Sequence, residues 1–137
     1  MLNIKVDEGA TIPSRGSEYA AGLDLSASES ITIPQRSLSW VSTGLRVAIA
    51  PYLCGQIWPR SGLAGKGIST SAGIVDADYR GEVKVLLRNE TDEPFAVVPG
   101  MRIAQLLIVP VARPNVMVVE DLDGTERGED GFGSTGG

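Results

Sequence analysis

Glycine and proline interrupt this chain every few residues. Between them no stretch holds apolar residues at i, i+3, i+4 and i+7 for three helical turns. What remains is short and rich in β-branched residues: "ITI", "LSWVS", "LRVAI", "EVKVLL", "RIAQLLIV" and "NVMVV". Pro34, Gly44, Pro51, Pro59, Gly81, Pro94, Gly100, Pro110 and Pro114 punctuate these runs. The pattern predicts an all-β, mostly antiparallel sandwich or jelly roll, without internal repeats or a domain linker. A short helix over "SGLAGKG" is conceivable, but its glycines argue against it. Runs such as "QLLIVPV" and "VMVVE" are apolar on both faces, where a small sandwich facing water should alternate. That surplus predicts subunit contacts in a homo-oligomer.

Composition narrows the chemistry. At 137 residues the chain is long enough for one domain with a real core. No apolar run approaches the roughly 20 residues that cross a bilayer, and "MLNIKVDEGATIPSRG" has no signal-peptide core, so an intracellular protein with no membrane partner is expected. Cys54 is the only cysteine and reads as a buried, inert thiol. There is no histidine, which excludes a Ser-His-Asp triad, a Cys-His dyad and a His-ligated zinc site. A net charge of −5 disfavours a long nucleic-acid polymer as partner. A small anion remains open, provided folding gathers arginines such as Arg60, Arg80, Arg102 and Arg127.

Five stretches break the strand pattern. In "AAGLDLSAS", Leu23, Leu25 and Ala27 share one strand face and Asp24 lies on the other. "PRSG" sets Arg60, Ser61 and Gly62 after a fixed proline, either as a plain turn or as a nest of donors for phosphate. "AGIVDADYRGEVKVLL" reads as a β-hairpin with its tip at 76–81 and with Val83, Val85 and Leu87 on one face of the return strand. Asp76 follows two β-branched residues, where partial burial would make its carboxylate a better base; a solvated charged turn is the plainer alternative. Gln105 is expected on one face with Ile103, Leu107 and Val109, its amide bonded to backbone or to a ligand. The closing "RGEDGFGSTGG" has the glycines of a frayed tail, yet also Phe132, for which a solvated tail has no use.

In chain order, "AGLDLSAS", "PRSGLA", "AGIVDADYRGE", "RIAQLLI" and "RGEDGFGSTG" resemble the five motifs of the homotrimeric deoxyuridine triphosphatases, over nearly the whole chain. The resemblance implies a distorted jelly roll spanning residues 1–123 and a flexible C-terminal arm, 124–137. Three copies would share three active sites. It implies hydrolysis of dUTP to dUMP and pyrophosphate, which keeps uracil out of DNA and supplies dUMP. Asp76 would be the general base for water attacking the α-phosphorus, and Tyr79 the ring under the deoxyribose. Backbone around Gly73 and Lys84 would read the uracil edge. Arg60, Ser61 and Gly62 would bind phosphate, with Gln105 near the α-phosphate. Asp24 would hold the water shell of a Mg²⁺ carried mainly by substrate phosphates. In the arm, Phe132 would stack over uracil, Arg127 would meet the terminal phosphates, and Gly133, Ser134 and Thr135 would wrap them.

Departures from the family pattern are Trp58 before "PRSG", where a small residue is usual, Asp130 for a common glycine, and Leu23 for a frequent tyrosine. None removes a catalytic position. Two other functions fit the same fold: a deoxycytidine triphosphate deaminase, and a binding or signalling protein that no longer catalyses. A cytoplasmic location is expected, or a nuclear one in a eukaryote.

Overall fold

A computed structural model describes residues 1–133. In chain order the strands are β1 (Asn3–Val6), β2 (Leu23–Ser26), β3 (Ile31–Ile33), β4 (Ser37–Ala48) and β5 (Leu53–Trp58). One helical turn, α1 (Ser61–Ala64), precedes β6 (Ile68–Thr70), β7 (Ile74–Val75), β8 (Val83–Asn89), β9 (Phe95–Val97) and β10 (Arg102–Pro110). Two four-stranded sheets form, in the orders β1-β4-β8-β6 and β2-β10-β5-β7, with β3-β9 as a small third. Every pairing is antiparallel, as expected of a jelly roll.

The sheets share one core. Val41, Leu45, Val83, Val85 and Leu87 enter it from the first sheet, Leu25, Ala104 and Leu106 from the second, and Ile33 and Val97 from the third. All are sealed from solvent. Each such side chain is worth about 1.5–3 kcal/mol relative to exposure. β8 shows the sequence logic directly: Val83, Val85, Leu87 and Asn89 are buried while Lys84 and Arg88 between them face out.

Three expectations change. The runs on either side of Gly44 are one strand, because Gly44 forms a bulge instead of a break. The β4–β8 register shifts between Ser42 and Leu45, and Gly44 has φ +70°. A Cβ there would stand 2.6 Å from that of Ala10. Secondly, α1 does form over the start of "SGLAGKG", but it stops after one turn at Gly65. Thirdly, "NVMVV" joins no sheet. Pro110 and Pro114 withhold ladder donors on its approach, and residues 111–130 are all exposed, with Val116, Met117 and Val118 almost wholly so. Among the described residues no helix is long and apolar enough to cross a membrane.

Candidate active site

Residues 76–82 do not form the tip of a hairpin. β7 pairs with β5 and β8 pairs with β4 and β6, so this segment crosses from one sheet to the other. The crossing leaves a cleft of about 460 Å³ whose walls include Gly73, Asp76, Tyr79 and Lys84, together with Trp40 and Glu82. Asp76 is exposed on its wall, not half-buried as expected. Strand alternation explains this: Val75 turns into the core, while Asp76 follows Ile74 outward. Tyr79 N–H donates to the Asp76 carbonyl at 3.1 Å and closes a turn. The Tyr79 hydroxyl donates to the Glu82 carbonyl at 2.8 Å, laying the ring against Gly81, where a Cβ would fall 2.6 Å from Cζ. Gly73 is required by an equally close approach. Its carbonyl accepts from Ile57 N–H at 2.7 Å, and a Cβ would sit 2.6 Å from the Ile57 carbonyl oxygen.

A second group assembles on the other sheet. Asp24 on β2 pairs in register with Gln105 on β10, and its two carboxylate oxygens each stand 3.4 Å from a guanidinium nitrogen, one of Arg60 and one of Arg102. Folding thus gathers two of the four scattered arginines around one carboxylate. The other two bond locally, Arg80 to the Ala77 and Tyr79 carbonyls and Arg127 to the Asp130 carbonyl. Gln105 donates to the Pro59 carbonyl at 3.0 Å, so its amide is satisfied by backbone just before Arg60. Ile103 does not share its face: a register shift between Arg102 and Ala104 turns both Ile103 and Ala104 into the core. Ser61 and Gly62 open α1, where the first N–H groups of a helical turn have no partner within it. Nothing lies within 4 Å of the place a Gly62 Cβ would take, so the space beside Gly62 is open.

The donor set bears on a metal. Among the described residues no three of Asp, Glu or Cys converge, so the protein offers no closed cage. It offers Asp24, flanked by arginines. An ion beside it would have to be held mainly by waters and by a ligand's own phosphates.

The arm stands apart from both groups. Past Pro114 the described hydrogen bonds are local: Gly128 N–H to Thr125 Oγ1, Asp130 N–H to the Arg127 carbonyl, and Arg127 Nε to the Asp130 carbonyl. Phe132 is fully exposed, at φ +49° beside Gly133. Ser134 and Thr135 lie outside the described residues. Trp58 is accommodated by staying exposed, its Nε1–H donating to the Gln56 side chain at 3.0 Å, and it lines a shallow groove with Pro59, Ala72 and Gly73. Sequence reasoning passed over Trp40 and Glu82 and gave Arg102 no place. A tryptophan among the serines of "SLSWVS" was the available signal for Trp40.

Comparison with known proteins converges on one family. The dUTPase family model matches residues 8–136. A deoxyuridine 5'-triphosphate nucleotidohydrolase of Oryza sativa subsp. japonica is 52% identical over 133 residues, covering 96% of this chain and 78% of that protein. The chain belongs to the dUTPase family. A mutant dUTPase of Staphylococcus bacteriophage 80alpha, solved with dUpNHpp, matches this dUTPase fold with a TM-score of 0.93 at 26% identity, covering 98% of each chain. A mutant dUTPase from phage phi11 of S. aureus, described with a structural Mg(II) ion, shares the fold with a TM-score of 0.85 at 22% identity, covering 90% of this chain and 99% of that one.

Proposed function

We propose that the chain hydrolyses dUTP to dUMP and pyrophosphate at sites completed by three copies of itself. One observation carries the reading. Gly73, Asp76, Tyr79 and Lys84 line one cleft, whereas Asp24, Arg60 and Gln105 gather elsewhere on the same chain and do not line it. A nucleoside pocket and a phosphate cluster that do not line one cleft within the chain are joined when one copy presents its cleft to another copy's arginines. The exposed apolar run Val116–Met117–Val118, unpaired in its own chain, supports such contacts.

The roles follow from the groups available. Asp76 takes a proton from water as the water oxygen bonds to the α-phosphorus, and the bond from that phosphorus to its bridging oxygen breaks to release pyrophosphate. Two carboxylates stand on the cleft wall. That of Glu82 is bonded to the Gly44 N–H, which leaves Asp76 for the water. Tyr79 supplies a floor for deoxyribose, where a ribose 2′-hydroxyl would be crowded and stripped of its hydrogen bonds. Backbone at Gly73 and Lys84 reads the uracil edge, and cytosine presents the reversed donor and acceptor pattern. Arg60, Ser61, Gly62 and Gln105 hold phosphate. Asp24 would hold Mg²⁺ through water, and the ion when bound neutralises phosphate charge. The arm, 124–137, closes over a site with Phe132 on the base and with Arg127, Gly133, Ser134 and Thr135 about the terminal phosphates. The names of the rice relative and of the phage structures favour dUTP hydrolysis over deamination of dCTP.

Pyrophosphate and ammonia release, measured across dUTP, dTTP, dCTP and UTP with and without Mg²⁺, tests this. Pyrophosphate from dUTP alone, dependent on Mg²⁺, is the expected result. Ammonia from dCTP would establish the deaminase, and binding without release of either product would establish a non-catalytic protein.

A further inference from the structure

We infer that Glu82 is a positioning residue for the sugar-facing wall of the cleft, and through it a determinant of deoxyribose selectivity. The inference rests on the reading that Tyr79 meets the deoxyribose.

The segment 76–82 needs an anchor that its flanking strands do not supply. β7 and β8 belong to different sheets, so no ladder runs up the two sides of the crossing to hold its shape. Glu82 closes the segment and bonds in two directions. Its Oε2 accepts from the Gly44 N–H at 3.0 Å, in a half-buried setting. Its carbonyl accepts from the Tyr79 hydroxyl at 2.8 Å. The phenol is therefore committed to the backbone, and the tilt of the ring is set by where the Glu82 peptide stands.

That peptide is tied to the bulge of β4. A bulge leaves a residue out of the ladder, and Gly44 uses the freed N–H for the Glu82 carboxylate while its own carbonyl accepts from Asp7 N–H at 2.9 Å. The neighbouring residues repeat the attachment, for the buried Thr43 hydroxyl donates to the Val83 carbonyl. Gly44 itself has little freedom, at φ +70° and packed against Ala10. A fixed bulge thus holds Glu82, and Glu82 holds the ring. Loss of the carboxylate leaves the phenol its acceptor but frees that acceptor to shift. Displacements on the ångström scale are costly in a site that works by close fit.

The test compares Glu82→Ala, Glu82→Asp and Glu82→Gln with the wild-type protein, reading the ratio of kcat/KM for dUTP to that for UTP beside the melting temperature. Glutamine keeps an oxygen at the same reach and should preserve the ratio. Alanine lacks the acceptor and aspartate is one methylene short, so each should lower the ratio by about tenfold or more. Should the alanine variant fail to fold, aspartate carries the same expectation. An unchanged ratio in the aspartate or alanine variant overturns the inference while dUTP hydrolysis itself stands, as does a glutamine variant as unselective as alanine. A wild-type protein that cleaves UTP as readily as dUTP overturns the role of Tyr79, and this inference with it.

Discussion

On the proposed mechanism, whether a nucleotide bound in the cleft is also cleaved depends on one side chain. Asp76 is the carboxylate on the cleft wall that Gly44 does not occupy. Asp76→Asn keeps the shape and removes the base, so nucleotide binding by calorimetry should persist while turnover falls by about 10²–10⁴. Near-normal turnover would remove Asp76 from the chemistry. Gly73→Ala probes the floor of the same cleft. Its Cβ would stand 2.6 Å from the Ile57 carbonyl oxygen, a backbone atom that cannot swing aside. Overpacking of this kind costs about 1–3 kcal/mol, so the melting temperature should fall and KM for dUTP should rise; an unchanged KM would contradict the close fit. Asp76 and Tyr79 were legible because both sit in one short stretch that breaks strand alternation. Glu82 and Arg102 were not, because each depends on register between distant strands: Glu82 meets Gly44, 38 residues away, and Arg102 meets Asp24, 78 away.

At the scale of elements, β-branched runs located most strands, and their alternation gave the buried face of β8. What local pattern could not give was partnership. "AGIVDADYRGEVKVLL" has the appearance of a hairpin, yet its halves belong to opposite sheets, a choice made by the pairing of β5 and β4. Gly44 looked like a break and is a bulge, since a glycine at positive φ suits either and only the continuing register decides. The arm is the element whose role most needs a direct measurement. A chain ending at Arg127 should retain its oligomeric state by light scattering and lose on the order of a hundredfold in kcat/KM. Dissociation of the oligomer on truncation would make the arm a structural tie instead of a lid.

On the scale of the whole molecule, the described chain presents three separate groups: the cleft with Asp76 and Tyr79, the cluster of Asp24, Arg60, Arg102 and Gln105, and an arm bonded only to itself. Two-faced apolar runs point to contacts between copies, but which group would meet which is a property of the proposed assembly, beyond any single-chain periodicity. A site drawn from several subunits makes a sharp demand on hybrids. Asp76→Asn and Arg60→Ala chains should each assemble and each be nearly inactive. Each hybrid trimer co-expressed from the two would bring an intact cleft from one chain beside an intact arginine from the other at about one of its three sites. Pyrophosphate release from dUTP by purified hybrids, well above that of either parent, is the predicted result. Hybrids no more active than their parents would mean that each chain works alone, and would contradict the shared site.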